Sequence, residues 1–137
     1  MNLDPSAFVA DPALIESLEK GSTLISCTAD RILFHQGEAP SGLYILKSGY
    51  AALTMTTVLG EEIISATAGP GSLLGLPGLI GNQPYTLTAI ALAGAEVSFV
   101  TRDSFTDLMS ADPMLALKIL AVLAAEVRSA RSLILQR

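Results

Sequence analysis

Between residues 22 and 102, short apolar runs alternate with polar turns that are rich in glycine and proline. Runs of this length with β-branched and aromatic residues favour β-strands. Short strands separated by such turns indicate an antiparallel sandwich or barrel. Residues 69–78, GPGSLLGLPG, differ from the predicted strands because they are mostly glycine, proline and leucine. A backbone that is so rich in glycine adopts unusual angles and usually turns sharply or wraps something. The predicted strands are Thr23–Cys27, Arg31–Phe34, Gly42–Leu46, Tyr50–Val58, Glu61–Ala66, Tyr85–Leu92 and Glu96–Val100.

Helical patterns flank this β region on both sides. Asp11-Pro12 has the form of an N-cap followed by proline in the first turn, and Gly21 is a typical stop. Asp103 is the expected cap of a short helix, and Asp112 precedes a helix that continues without a breaker. We therefore expect a single domain over residues 1–137, with N-terminal helices at 4–21, a β region at 22–102, a short helix at 103–111 and a long helix at 112–137.

The long helix has two apolar faces. One face contains Leu115, Ile119 and Val122, and we expect it to cover the β region. The other face is a seam of residues spaced alternately three and four apart, which is the heptad pattern of paired helices. Two apolar faces are hard to bury within one small domain, so the seam predicts a homodimer with two-fold symmetry. The seam residues are Leu120, Leu123, Val127, Ala130 and Ile134.

Composition limits the partners and the compartment. Half of the 137 residues are hydrophobic, yet no apolar run approaches the length of a membrane-spanning helix. The net charge of −5 argues against binding of nucleic acid by this chain alone, because phosphate backbones attract basic proteins. Residues 1–10 contain no lysine or arginine and do not form a signal peptide. With Cys27 as the single cysteine, these features predict a cytoplasmic protein.

The order of motifs resembles a known family. The chain is similar to the effector domain of the Crp/Fnr family, which binds cyclic nucleotides. The resemblance implies a mainly β fold, a double-stranded β-helix (jelly roll, cupin-like), followed by a dimerisation helix. It also implies a sensor module and not an enzyme. The motifs that carry it are LFHQGE, GLYILKSG, GPGSLLGLPG, YTLTAIAL and AEVSFV.

The resemblance also implies a ligand cassette. In members that bind cyclic AMP, backbone N–H groups cradle the phosphate, an arginine pairs with its oxygens and a glutamate accepts from the ribose hydroxyl. Here Leu76 takes the place of the glutamate and Tyr85 that of the arginine, while Ala130-Arg131 replaces the hydroxyl pair that contacts the base. The implied cassette residues are Gly71, Leu74, Gly75, Leu76, Pro77, Tyr85, Thr86 and Leu87.

These substitutions predict that cyclic AMP binds weakly or not at all, because a buried phosphate without a cation is costly. Pro77 also removes one backbone donor from the cradle. No cofactor is certain. A cyclic nucleotide or another small anionic effector stays possible, as does a ligand held by neutral hydrogen bonds.

Two functions remain open at this point. One is the small-molecule-sensing domain of a Crp/Fnr-type transcription regulator, whose winged helix-turn-helix would follow the long helix and contact DNA. The other is a stand-alone dimerisation module with a vestigial pocket. Enzymatic roles are disfavoured: His35 is the single histidine, too few for a metal-dependent cupin site, and Cys27 alone cannot hold an iron–sulfur cluster.

Overall fold

The computed structural model describes residues 5–135, without the side chains of residues 63, 64 and 130–135. It contains two antiparallel four-stranded sheets, with strand orders β1-β8-β3-β6 and β2-β7-β4-β5. The strands are β1 Thr23–Ser26, β2 Arg31–Phe34, β3 Gly42–Ser48, β4 Ala51–Thr56, β5 Glu62–Ala68, β6 Leu73–Leu74, β7 Thr88–Ala91 and β8 Glu96–Thr101. The helices are a 3-10 turn at Pro5–Phe8, α1 Pro12–Glu19, α2 Leu76–Gly81, α3 Arg102–Ala111 and α4 Pro113–Leu135.

Strand β3 separates two hydrophobic cores. Successive side chains of a strand point to opposite faces of its sheet. Leu46 therefore packs in a core between the two sheets, and Leu43 and Ile45 pack in a second core beneath the helices. The second core also contains Leu115 of α4. The predicted jelly roll with flanking helices is confirmed.

Each of the seven predicted strands has a counterpart in the structure, and three details of the prediction were wrong. The strand expected at Tyr85–Leu92 begins only at Thr88. The glycine-rich segment, expected to turn sharply or to wrap something, contains β6 and the start of α2. Helix α3 is capped by Thr101 and not by Asp103, because the Thr101 side chain accepts a hydrogen bond from the N–H of Ser104. The N-cap predicted at Asp11 is confirmed by its bond to the N–H of Leu14.

Helix α4 buries one of its predicted faces. Leu115 and Ile119 are almost inaccessible, and Val122 packs against the same core. On the seam, Leu120 and Val127 are about half exposed, and Leu123 is partly buried against the second core. The side chains of Ala130 and Ile134 lie outside the described residues. An apolar surface is therefore open along the described part of the seam.

Within residues 5–135, no single helix is long and apolar enough to cross a membrane. One bent pair, Arg102–Ala111 with Pro113–Ser129, passes the same test of length and composition.

Candidate ligand-binding pocket

A cavity of about 170 Å³ lies between the β-roll and α4. We call it the ligand pocket. Its walls come from the 3-10 turn, β2, β4, the start of α2, the segment before β7 and the middle of α4. The lining residues are Phe8, Phe34, Met55, Gly75, Pro77, Gly78, Tyr85, Thr86, Leu87, Glu126 and Val127.

Five of the eight cassette residues line this pocket: Gly75, Pro77, Tyr85, Thr86 and Leu87. The other three lie elsewhere. Leu74 is buried in the core between the sheets, and Leu76 in the core beneath the helices. Gly71 lies beside Val9 and Ala10 at the N-terminal segment. Leu76, which stands at the glutamate position of the family, therefore does not contribute to the pocket wall.

The hydroxyl of Tyr85 forms hydrogen bonds with backbone groups at the start of β3. It accepts hydrogen bonds from the N–H groups of Ser41 (3.0 Å) and Gly42 (3.2 Å). The same hydroxyl donates to the carbonyl of Gly42 at 2.8 Å. Strand β6 pairs with β3 only at Tyr44 and Ile45, so Gly42 lies beyond the end of β6. The tyrosine hydroxyl therefore supplies the hydrogen bonds that a longer β6 would have given to Gly42.

The ring of Tyr85 also fills the space beside Gly75. Gly75 caps α2 with a φ of 95°, a conformation that favours glycine. A Cβ atom at this glycine would come within 2.9 Å of the Tyr85 ring. The ring also stacks on Phe34, with centroids 4.0 Å apart. Where the resemblance places a phosphate-binding arginine, the structure has a fixed aromatic wall.

Glu126 supplies a carboxyl group at the edge of the pocket. It is only 8% exposed, and its Oε1 atom has no hydrogen-bond partner among the described residues. Burial raises the pKa of Glu126 from its ordinary value of 4.5 to about 8. The described lining contains no lysine, arginine or histidine that could pair with this group. At neutral pH Glu126 is therefore mostly protonated, and the described lining carries no other charged side chain.

The sequence analysis missed Glu126, although the chain carries a signal for it. Leu115, Ile119 and Val122 lie on the buried face of α4, and Glu126 follows at the same helical spacing. A carboxyl group on a buried face is rare unless it is paired or functional. We call these four residues the buried stripe.

The fold is a β-roll with a pocket whose wall is completed by a long helix. The chain belongs to the cyclic nucleotide-binding domain family, which matches it over residues 15–112. It is 31% identical over 98 residues to the cyclic AMP receptor protein of Thermus thermophilus, a match that covers 72% of this chain and 45% of that protein. It is 28% identical over 118 residues to the transcriptional activator protein FnrA of Stutzerimonas stutzeri, covering 86% of this chain and 44% of the relative.

The fold likeness extends over almost the whole chain. The crystal structure of the catabolite activator protein of Thermus thermophilus superposes with a TM-score of 0.78 at 24% identity. The superposition covers 96% of this chain and 62% of that protein. These comparisons confirm the resemblance to the cyclic nucleotide-binding domains of Crp/Fnr proteins. The chain spans less than half the length of the two curated relatives.

Proposed function

We propose that this domain is a non-enzymatic sensor in which a small molecule in the ligand pocket changes how α4 pairs with a second copy. One observation carries the proposal: the pocket wall is shared between the β-roll and α4. Val127 lines the pocket and also belongs to the seam. A ligand that contacts this residue would therefore bias the position of the helix that forms the proposed dimer interface.

We further propose that cyclic AMP is not the physiological effector. The hydroxyl of Tyr85 is hydrogen-bonded to the backbone of Gly42, and Leu76 is buried away from the pocket. Glu126 adds a group that becomes negative when it ionises, which would repel a phosphate. Losing a charge-assisted hydrogen bond of the arginine type costs about 1.5–3 kcal/mol, or roughly 10–100-fold in affinity. These features support a pocket that has diverged from phosphate recognition.

Thermal unfolding against a panel of nucleotides and metabolites tests the sensor proposal. A ligand at 100 times its dissociation constant should add about 2.7 kcal/mol to the free energy of unfolding. We expect cyclic AMP and cyclic GMP to leave the midpoint temperature of unfolding unchanged. At least one other small molecule should raise that temperature. Blocking the pocket with Thr86→Trp, at an exposed lining position, should abolish that shift. A shift that survives this substitution would place the ligand elsewhere.

We propose that the seam forms a parallel helix pair between two copies. Leu120→Glu should convert the dimer into a monomer, because it places a charge at an exposed seam position that pairing would bury. The matched control is Ala121→Glu, an exposed position one residue along the same helix and off the seam. Sedimentation equilibrium gives the mass of each. If Leu120→Glu and Ala121→Glu have the same mass, the seam is not the interface.

A second candidate is a dimerisation module that binds no small molecule. The filling of the cradle by the Tyr85 ring and the exposed seam favour this alternative. It predicts a stable dimer together with an unchanged transition across the whole panel.

A further inference from the structure

We propose that the ligand pocket recognises a compact apolar molecule that carries an amine, with the Glu126 carboxylate as the anchor of that amine. This inference rests on the proposed sensor function and specifies the class of ligand. It replaces the anionic effector suggested by the sequence with a cationic one.

The first argument is the polar chemistry of the wall. Glu126 is more than nine-tenths buried, it borders the cavity, and its Oε1 atom has no partner among the described residues. Buried carboxyl groups are expected to be hydrogen-bonded or paired with a cation. The other titratable group in the described lining, Tyr85, already uses its hydroxyl in hydrogen bonds to the backbone. Of the titratable groups in the described lining, the carboxyl group of Glu126 is therefore the one that remains open to a ligand.

The second argument is the shape and apolar character of the cavity. Its volume of about 170 Å³ is close to that of an engineered cavity of about 150 Å³ that binds benzene. Phe8, Met55 and Leu87 provide apolar contact. A molecule with one ring, or a branched chain of similar size, fits this space together with a short amine arm. A purine, a ribose and a phosphate ring together need much more room.

The proton balance follows from the same geometry. At pH 7 the amine is already an ammonium ion, whereas the free protein holds a proton on Glu126. Binding forms an ammonium–carboxylate pair and releases that proton to the solvent. The described groups on the lining elements do not change this balance. These elements contribute no other described carboxylate, and their remaining described charged side chains, Arg31 of β2 and Lys118 and Arg128 of α4, are exposed.

Three single-ring probes test the proposal: benzylamine, benzyl alcohol and benzoate. Titrations of the ¹⁵N-labelled protein, followed by NMR, should show binding of benzylamine with shifts at Thr86, Leu87 and Val127. Benzoate should not bind at the same concentrations. The affinity for benzylamine should rise about tenfold from pH 6 to pH 7, because the complex needs ionised Glu126. Calorimetry in two buffers with different ionisation enthalpies should record the release of a proton.

Variants separate recognition from folding. Glu126→Gln should weaken the binding of benzylamine about 10–100-fold, because one charge-assisted hydrogen bond is lost. The affinity of this variant for benzyl alcohol should stay within about threefold of the wild-type value. Glu16→Gln, at an exposed glutamate of α1, is the control and should change neither probe. Binding of benzoate as tight as that of benzylamine, unchanged benzylamine affinity in Glu126→Gln, or no binding of benzylamine would each overturn the proposal.

The sensor function can survive the failure of this inference. If the metabolite panel yields a pocket ligand without an amine, and Glu126→Gln binds it as tightly as the wild type, the amine proposal fails and the sensor proposal stands. If the panel yields no ligand at all, the sensor proposal fails.

Discussion

Glutamine in place of Glu126 should stabilise the domain, and the gain should grow with pH. Burial raises the pKa of Glu126 from 4.5 to about 8, so between these values the folded protein holds a proton that the unfolded chain has released. The stability of the wild type therefore falls as pH rises through this window and levels off above it. Glutamine resembles the protonated acid in shape and carries no charge at any pH. At about 1.4 kcal/mol per pH unit, its advantage should reach about 3 kcal/mol at pH 7 and be small at pH 5.

Urea unfolding of both proteins at several pH values between 5 and 9 measures this difference. The control is Glu16→Gln, which removes an exposed carboxyl group and should change stability by less than about 0.5 kcal/mol at every pH. A carboxyl ¹³C titration of Glu126 reports the same pKa independently. An advantage of Glu126→Gln that is the same at pH 5 and pH 8 would show that Glu126 is not a buried, unpaired acid.

Phenylalanine in place of Tyr85 should destabilise the domain by about 2–4 kcal/mol. The substitution keeps the ring that stacks on Phe34 and removes only the hydroxyl. The N–H and carbonyl groups of Gly42 then lose their bonds to that hydroxyl in a buried position, which is costly for backbone groups. Chemical unfolding monitored by circular dichroism measures the loss.

Tyr50→Phe is the matched control for this prediction. Tyr50 is 58% exposed, so removing its hydroxyl should change stability by less than about 0.5 kcal/mol. Equal stabilities of Tyr85→Phe and Tyr50→Phe would mean that the Tyr85 hydroxyl does not hold the start of β3.

The sequence was sufficient to predict those elements whose apolar residues recur at regular spacing and are buried in the structure. The alternation along β3 and the buried face of α4 both follow from the spacing of apolar residues. Asp11 was recognisable because a cap is a local signal. The two-residue β6 was not predictable, because a strand of that length has no period to detect. Helix α2 contains proline and glycine and depends on tertiary packing of Leu76 and Leu79.

The pocket was predicted less completely than the fold. The stretch YTLTAIAL has the composition of a strand, but long-range contacts keep Tyr85 out of the sheet. Its N–H bonds to the carbonyl of Glu38, and its carbonyl accepts from the N–H of Gly37. These partners are distant in sequence, so local pattern cannot reveal them. Glu126 differs because its place on the buried stripe was readable from spacing alone.

We propose, as the central claim, that a cyclic nucleotide-binding fold here holds a pocket that has lost its phosphate site and gained a buried acid. Isothermal titration of the domain with cyclic AMP at pH 7 tests it most directly. The claim predicts no measurable heat of binding at millimolar nucleotide. A dissociation constant in the low micromolar range would contradict it.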